Sequence, residues 1–328
     1  SGTQGAGSET NGGTTPTPPV FDYETGDRLD PTLDYENKNF QIFTWNTQQV
    51  TEWVEEIGEN TSEVEKTLYE HLKNAEDRLN LNISIREEAG RYAQMDSFLD
   101  TLTNLTSTGL DPDLVCQYSL TASKGMIRGL YGNLLETAHL DFNAPWWNES
   151  LVEGNTINGN LYYITGDLTP TIIYNMYAVV FNKDLLNQYG MEAPYDLVRN
   201  DNWTLGALLE LIRGTAINPN MDGVYNGSAE NVLYGLNIQK LAVDAFQTGF
   251  GVTALEKNAN GQWQLTQDFS GNRAIDIVDA LRTLVYDNED VFYDKDSKYA
   301  ENIFQDGKTI FDMDTLGMVG RVLTAQPA

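Results

Sequence analysis

Apolar positions recur along this chain in two rhythms, and their alternation lays out a first α/β unit. Residues 40–45 (FQIFTW) form an apolar run of strand length. Ser62 followed by Glu65 is a capping box, in which hydroxyl and carboxylate satisfy N–H groups left free at a helix start. Val64, Leu68, Leu72, Ala75 and Leu79 then follow at spacings of four, four, three and four, one face of a helix. Leu81, Ile83 and Ile85 alternate and predict a second strand. Met95, Phe98, Leu99, Leu102 and Leu105 predict another helix, stopped at Gly109, and residues 113–118 (DLVCQY) a third strand. Strand–helix–strand–helix–strand at these spacings implies right-handed crossovers and a parallel sheet. Ligands of such sheets sit at the carboxyl ends of the strands. That places Trp45, Asn46, Tyr118 and Ser119 beside a possible crevice.

A second set of elements follows a Gly/Asn-rich break at 153–160. Residues 177–182 (YAVVFN) read as a strand and 183–189 as a short helix ending at Gly190. Thr204 caps a helix over 205–212. Ala274, Ile277, Val278, Leu281, Leu284 and Val285 make an amphipathic helix. Residues 299–305 read as a helix and, after Gly307, residues 309–313 as a strand. No internal repeat is evident. The pattern is that of two α/β units in one chain.

Length agrees: 328 residues exceed one ordinary core and accommodate two. Hydrophobic content of 41% and aromatic content of 11% exclude disorder for most of the chain. Lys and Arg number 20 against 48 Asp and Glu, a formal charge of −28, which excludes a nucleic-acid partner and electrostatic attachment to an anionic membrane. The single cysteine, Cys116, follows Leu114 and Val115 and reads as a small core residue without an intramolecular disulfide partner. No run of about 18 apolar residues is present to span a membrane. No signal peptide appears, so the protein is cytosolic or the sequence begins after processing. Residues 1–19 (SGTQGAGSETNGGTTPTPP) hold nothing to anchor a core; they read either as a plain disordered terminus or as a tether.

Candidate chemistry is sparse. His71 lies on the exposed side of a charged helix and His139 in a loop; neither neighbours a nucleophile motif, and no G-x-S-x-G occurs. Zinc ligands at short spacing are missing. Acids are so abundant that no pair stands out for glycoside hydrolysis. Residues 218–223 (NPNMDG) look like the start of a calcium loop, but position one is Asn218 and position twelve Ala229, as a polar turn would allow. Six N-x-S/T sequons, at Asn60, Asn82, Asn104, Asn148, Asn202 and Asn226, arise readily in an Asn- and Thr-rich chain and do not imply glycosylation. The aromatics say more. Trp45, Tyr118, Trp146, Trp147, Tyr162, Tyr163, Tyr174, Tyr177, Phe246 and Phe250 fall at strand ends or in loops. Any one of them can be core; as a group they suit stacking on sugar faces, with amides and carboxylates fixing the hydroxyls.

From Asn158 onward the text resembles the carbohydrate-type, maltose-binding-protein-like solute-binding proteins of bacterial ABC importers. Residues 159–167 (GNLYYITGD) precede 177–190 (YAVVFNKDLLNQYG), similar to that family's strand leading into "NKDLL". Residues 201–211 (DNWTLGALLEL) resemble its "W-T-x-x-x-L" helix start, and 304–311 (FQDGKTIF) its late "F-x-x-G-K" turn. Residues 139–151 (HLDFNAPWWNESL) are similar to the "PWW" loop of a Gram-positive lipoprotein branch.

The resemblance implies an α/β type II periplasmic-binding-protein fold, two lobes joined by a hinge and closing over a ligand. It implies a flexible tether and lead-in over 1–35, a first lobe over 36–172 and a second, incomplete lobe over 173–328. The family continues well past the "GK" strand, so a truncated chain with an exposed sheet edge is expected. The implied function is capture of a mono- or oligosaccharide for import without chemistry on it, as a monomer that hands its ligand to a membrane permease. No cofactor or metal is implied. A surface glycan-processing enzyme, a surface receptor for protein partners and a binding protein for a non-sugar ligand are the alternatives. The implied location is extracellular, with a lipid-modified cysteine upstream of residue 1. Asn175, seven residues before Asn182, falls where the family places a polar sugar contact; Asp314 falls on a binding loop, and Trp45 and Asn46 on another. Asp167, Tyr177, Tyr118, Trp146 and Phe250 complete the expected ligand site.

Overall fold

The computed structural model describes residues 29–46, 51–168, 170–217, 232–296, 300–318 and 320. Strand β1 (Lys38–Asn46) leads to helix α1 (Glu63–Leu79), then β2 (Leu81–Ala89), α2 (Met95–Ser107), β3 (Leu114–Cys116) and α3 (Ser119–Ile127). The sheet order is β2-β1-β3 and both pairings are parallel, with Lys38 opposite Leu81 and Thr44 opposite Cys116. Phe43 on β1 and Phe98, Leu99, Leu102 and Leu105 on α2 form its buried core, the two phenylalanine rings 4.6 Å apart. The capping box is complete: Ser62 Oγ accepts from the Glu65 N–H at 3.2 Å, and Glu65 Oε2 accepts from the Ser62 N–H at 2.8 Å. Gly109 ends the turn after α2 at φ +72°, as its position suggested.

Three expectations need correction. The apolar face of α1 is narrower than its spacing implied, because only Leu72 is buried and Val64 is 47% exposed at the first turn. Strand β3 is three residues long: the Asp113 carboxylate caps the Gln41 N–H at 2.9 Å, and Tyr118 is already the N-cap of α3. The break at 153–160 begins inside a helix, α4 (Glu149–Asn155), because Asn148 accepts from the Leu151 N–H and starts a turn there. The reversal itself comes at Asn158 and Gly159, both with positive φ.

Helix α5 (Thr171–Tyr174) then enters the second sheet through β4 (Tyr177–Phe181). Helices α6 (Lys183–Gln188), α7 (Tyr195–Arg199) and α8 (Leu205–Ile212) follow, α6 capped by Asn182 and α8 by Thr204. Next come β5 (Tyr234–Gln239), α9 (Ala245–Gly249), a hairpin of β6 (Leu255–Lys257) and β7 (Trp263–Leu265), α10 (Gln267–Ser270), α11 (Asn272–Tyr286), β8 (Val291–Asp294), α12 (Ala300–Gln305) and β9 (Thr309–Thr315). The order is β4-β9-β5-β8; β5 runs parallel to both neighbours, and β4 antiparallel to β9. Leu208 and Ile212 of α8 and Leu284 of α11 pack with Leu236, Ile238, Ile310, Phe311 and Met313 of the sheet. Strands β5 to β8 are additions to the sequence-based layout. In α11 the apolar stripe is again narrower than its spacing suggested, since Val278 is 62% exposed. Among the described residues the two principal sheets share no strand.

Candidate functional site

The carboxyl edge of the first sheet is built on a stacked ring pair. Trp45, next to last in β1, is half-buried, and its ring lies 5.5 Å from that of Tyr118 at an interplanar angle of 20°. Gly90, just past β2, lets this happen: a Cβ there would lie 2.6 Å from Trp45 Cβ. Asn46 ends β1 exposed, and Ser119 opens α3, also exposed. The sequence reading missed Glu52, which the fold returns to this edge. Its carboxylate accepts a short hydrogen bond from Thr171 Oγ1 at the start of α5. The Cys116 thiol at the end of β3 is pushed up to about 12, chiefly by burial, with the Glu52 charge adding to it. Cys116 is partly buried and free, and it packs as a small apolar group at the sheet's end.

A second group forms in the segment between the sheets. The Asp167 N–H donates to the Trp146 carbonyl at 3.2 Å, which sets the half-buried Trp146 beside the exposed Asp167. Gly166 is required there, since a Cβ would sit 2.5 Å from the Trp146 carbonyl oxygen. Trp147 leaves the list of ligand candidates: it is buried against the Phe142 ring at 5.3 Å and bridges Gly166. Tyr163 shares a hydrogen bond of 2.8 Å with Ser123 on α3.

At the carboxyl ends of the second sheet a third group gathers. Tyr177 opens β4 opposite Thr315, the last residue of β9, and Ala178 faces the buried Asp314. The Tyr177 hydroxyl is raised, first by burial and then by the charges of Asp314 and Asp244. Asn175 lies exposed where α5 ends, two residues before Tyr177, and the intervening Met176 carbonyl accepts from the Leu316 N–H at 2.9 Å. Deeper in the sheet Asn237 Nδ2 donates to Asp312 Oδ1 at 2.5 Å. Asp312 is pushed up to about 8 by burial; the Asn237 hydrogen bond opposes the shift and Asp314 adds to it. Phe250 stands apart from these groups: its ring stacks on Phe246 at 5.8 Å, and Phe246 leans on the second core. The Phe250 carbonyl accepts from Arg273 Nη2 at 2.6 Å.

The nine expected ligand residues thus fall into three sets, Trp45–Asn46–Tyr118, Trp146–Asp167 and Asn175–Tyr177–Asp314, with Phe250 on its own. Glu52, Asp244, Asn237 and Asp312 are additions. No spacing or motif distinguished these three acids and Asn237 from the many other acids and amides in the chain. His71 and His139 are both exposed. Among the described residues no group of three or more His, Cys, Asp or Glu is placed to hold a metal ion, and no helix is long and apolar enough to cross a membrane. The calcium-loop-like segment 218–223 lies outside the described residues.

An all-parallel sheet followed by a mixed one, each with helices on it and with polar and aromatic groups at its carboxyl ends, is the α/β type II periplasmic-binding-protein fold, two lobes joined by a hinge. No protein-family model matches the chain, and no curated protein matches it in sequence. Solved structures do. The extracellular solute-binding protein of Staphylococcus aureus in complex with maltose superposes with a TM-score of 0.54 at 12% identity, covering 88% of this chain and 64% of that one. The GacH receptor of Streptomyces glaucescens, solved unliganded and with acarbose, gives 0.52 at 15% identity, covering 88% and 63%. The galacto-N-biose/lacto-N-biose I-binding protein of a Bifidobacterium longum ABC transporter, in complex with lacto-N-biose, gives 0.51 at 12% identity, covering 88% and 61%. The chain spans less than two thirds of the length of each, and at these identities the likeness is one of fold.

Proposed function

We propose that this chain is the extracellular solute-binding component of an ABC importer, capturing a carbohydrate between its lobes without chemical change. The observation that carries the reading is the Trp45–Tyr118 stack at the carboxyl edge of the first sheet, a half-buried aromatic pair with the exposed Asn46 amide next in the chain. Sugars present apolar faces ringed by hydroxyls, and this pairing of surfaces suits them. On the second lobe, Asn175, Tyr177 and Asp314 supply polar groups at the matching strand ends. Ligand held by both edges favours the closed arrangement, because only there does it touch both. A micromolar dissociation constant corresponds to about −8 kcal/mol, which two stacked rings and a few charge-assisted hydrogen bonds supply after ordering losses.

The three solved structures of similar fold support the reading by the ligands they hold: maltose, acarbose and lacto-N-biose. In this proposal the first lobe occupies 36–172 and the second 173–328. A permease in the membrane receives the ligand, and a lipid-modified cysteine upstream of residue 1 anchors the protein outside the cell. A thermal-shift screen with maltose, maltotriose, acarbose and lacto-N-biose tests it. At least one sugar should raise the melting temperature by several degrees with no product formed. Stabilisation by an amino acid or peptide and by no sugar rejects the carbohydrate, and turnover of an aryl glycoside rejects capture without chemistry.

A further inference from the structure

The turn between β3 and α3 consists of Gln117 and Tyr118, and Tyr118 carries one ring of the stack. Backbone holds both ends of this turn: Cys116 is paired with Thr44 in the sheet, and the Tyr118 carbonyl accepts from the Ala122 N–H at 2.9 Å. Tyr118 is the N-cap of α3 but gives the helix no side-chain cap. Among the described residues the turn's one side-chain hydrogen bond runs from Gln117 Nε2 to the Tyr131 hydroxyl oxygen, at 2.5 Å. Gln117 Oε1 has no partner among those residues, so the bond to Tyr131 orients that amide.

Tyr131 reaches this point because of the way α3 ends. The Leu130 N–H donates to the Gly125 carbonyl at 3.1 Å and the Gly129 N–H to the Met126 carbonyl at 2.9 Å, with Gly129 at φ +71°, a Schellman turn. The chain reverses there, and the Tyr131 ring packs on the core that Trp45 also borders. Gln117, Thr121 and Gly125 follow one another at spacings of four, one stripe of the helix and its lead-in. The Tyr131 hydroxyl lies on that stripe: a Cβ at Gly125 would come within 1.8 Å of it. Glycine inside a helix is less stable there than alanine, and the phenol above accounts for this buried one. Burial raises the Tyr131 hydroxyl above its ordinary value, the Gln117 bond opposing the shift, so the group is a neutral phenol.

We propose that Tyr131 is a positioning residue: its hydroxyl, through Gln117, fixes the Tyr118 ring against Trp45, so the stack stands ready before ligand arrives. The two rings are then set by matching devices. Gly90 leaves room for Trp45, and Gly125 leaves room for the phenol that holds the turn behind Tyr118. A ring already held in place loses less freedom when ligand binds, which strengthens binding. The effect on sugar affinity rests on the carbohydrate reading; the positioning of the ring does not.

Tyr131→Phe removes the hydroxyl and keeps the ring in the core, and the Lys124–Asp96 and Arg128–Asp100 pairs that tie α3 to α2 remain. Calorimetric titration of the whole chain with maltose, maltotriose and lacto-N-biose should show the tightest of them weakened about threefold or more, at a melting temperature within about two degrees of wild type. In a Tyr118→Ala background, where the positioned ring is gone, Tyr131→Phe should shift affinity by less than about 1.5-fold, a non-additivity that a general structural role would not produce. Gln117→Met keeps the side chain's length, breaks the same bond and should reproduce the loss. Without ligand, the near-ultraviolet circular dichroism of Trp45, taken as the difference from a Trp45→Phe variant in each background, should fall by about half in Tyr131→Phe. Wild-type affinity in Tyr131→Phe or Gln117→Met, an equal loss in the Tyr118→Ala background, or an unchanged Trp45 signal overturns the proposal while the carbohydrate reading stands. If the wild-type chain binds none of the sugars, the carbohydrate reading falls and the Trp45 signal alone decides the positioning.

Discussion

The two sheets handle polarity in opposite ways. In the first, the core around Phe43, Phe98, Leu99 and Leu102 is apolar, and the stacked Trp45 and Tyr118 rings and the exposed Asn46 amide stand at its carboxyl rim. In the second, polar groups run into the sheet itself. Asn237 is paired with Asp312 across β5 and β9, and Asp314 follows two residues on, on the same face. Asp294 is buried as well, at the end of β8 opposite Gln239. A carboxyl group within a packed sheet is tolerable only if hydrogen-bonded or protonated, and Asp312 is both bonded and shifted toward the acid. The first lobe is therefore an apolar scaffold with rings and an amide at its rim, whereas in the second lobe stability and the polarity of the sheet are linked.

The widest test of this contrast is to empty each core in turn. Phe98 and Phe311 are both fully buried, and truncation of either to alanine should cost about 3–5 kcal/mol. With no strand shared between the principal sheets among the described residues, each variant should lower one of two calorimetric transitions and leave the other within about a degree. If both variants displace one common transition equally, the lobes unfold as a unit and the contrast drawn here loses its thermodynamic meaning.

Next in size is the proton on Asp312. Its native pKa, about 8, lies above the ordinary carboxylate value of 3.8, so between those limits the folded chain holds a proton that the unfolded chain has lost. Stability from this group is complete below 3.8, declines as pH rises, and is gone above about 8. Asp312→Asn removes the titration. Relative to wild type it should gain stability progressively from pH 5 to 9, on the order of a few kcal/mol, as followed by urea unfolding at each pH. A difference between the two proteins that stays constant across that range would mean Asp312 is charged in the fold. The first lobe, by contrast, should show no such trend in Thr44→Val, since the buried Thr44 hydroxyl does not titrate.

The same contrast explains what could be read in the letters. The first lobe was legible because its two long strands and two long helices repeat apolar residues at regular spacing over nine to seventeen positions, and because Ser62, Glu65 and Gly109 punctuate them. Strands β5 and β8 were not. Gly235 and Asn237 interrupt the apolar run of β5, and β8 is a four-residue strand that ends on an aspartate. Both are held by their neighbours in the sheet more than by their own pattern. The site divided likewise. Trp45, Asn46 and Tyr118 could be placed at a sheet edge because strand ends are predictable, and Asn175 and Asp314 were singled out only through family resemblance. Glu52 and Asp312 could not be found. In a chain with 48 acids, a carboxylate becomes distinctive only when folding gives it Thr171 or Asn237 as a partner.

The smallest expected effect bears most directly on which lobe supplies affinity. If the rim of the first lobe is the platform, Trp45→Ala should weaken the tightest neutral sugar at least tenfold, about 1.4 kcal/mol, because it removes a stacking face and leaves Tyr118 without its partner. The melting temperature should barely change, since Trp45 borders the first core instead of filling it. Tyr177→Phe deletes only a hydroxyl near Asp314 and Asp244, and should weaken the same sugar by no more than about threefold. The ratio of the two losses is the informative quantity. A Tyr177 loss as large as that at Trp45 would mean that hydrogen bonds to the second lobe, and not stacking on the first, select the ligand. The polar groups set into β9 would then be the recognition surface, and the strain of keeping carboxyl groups in that sheet would have a direct functional reason.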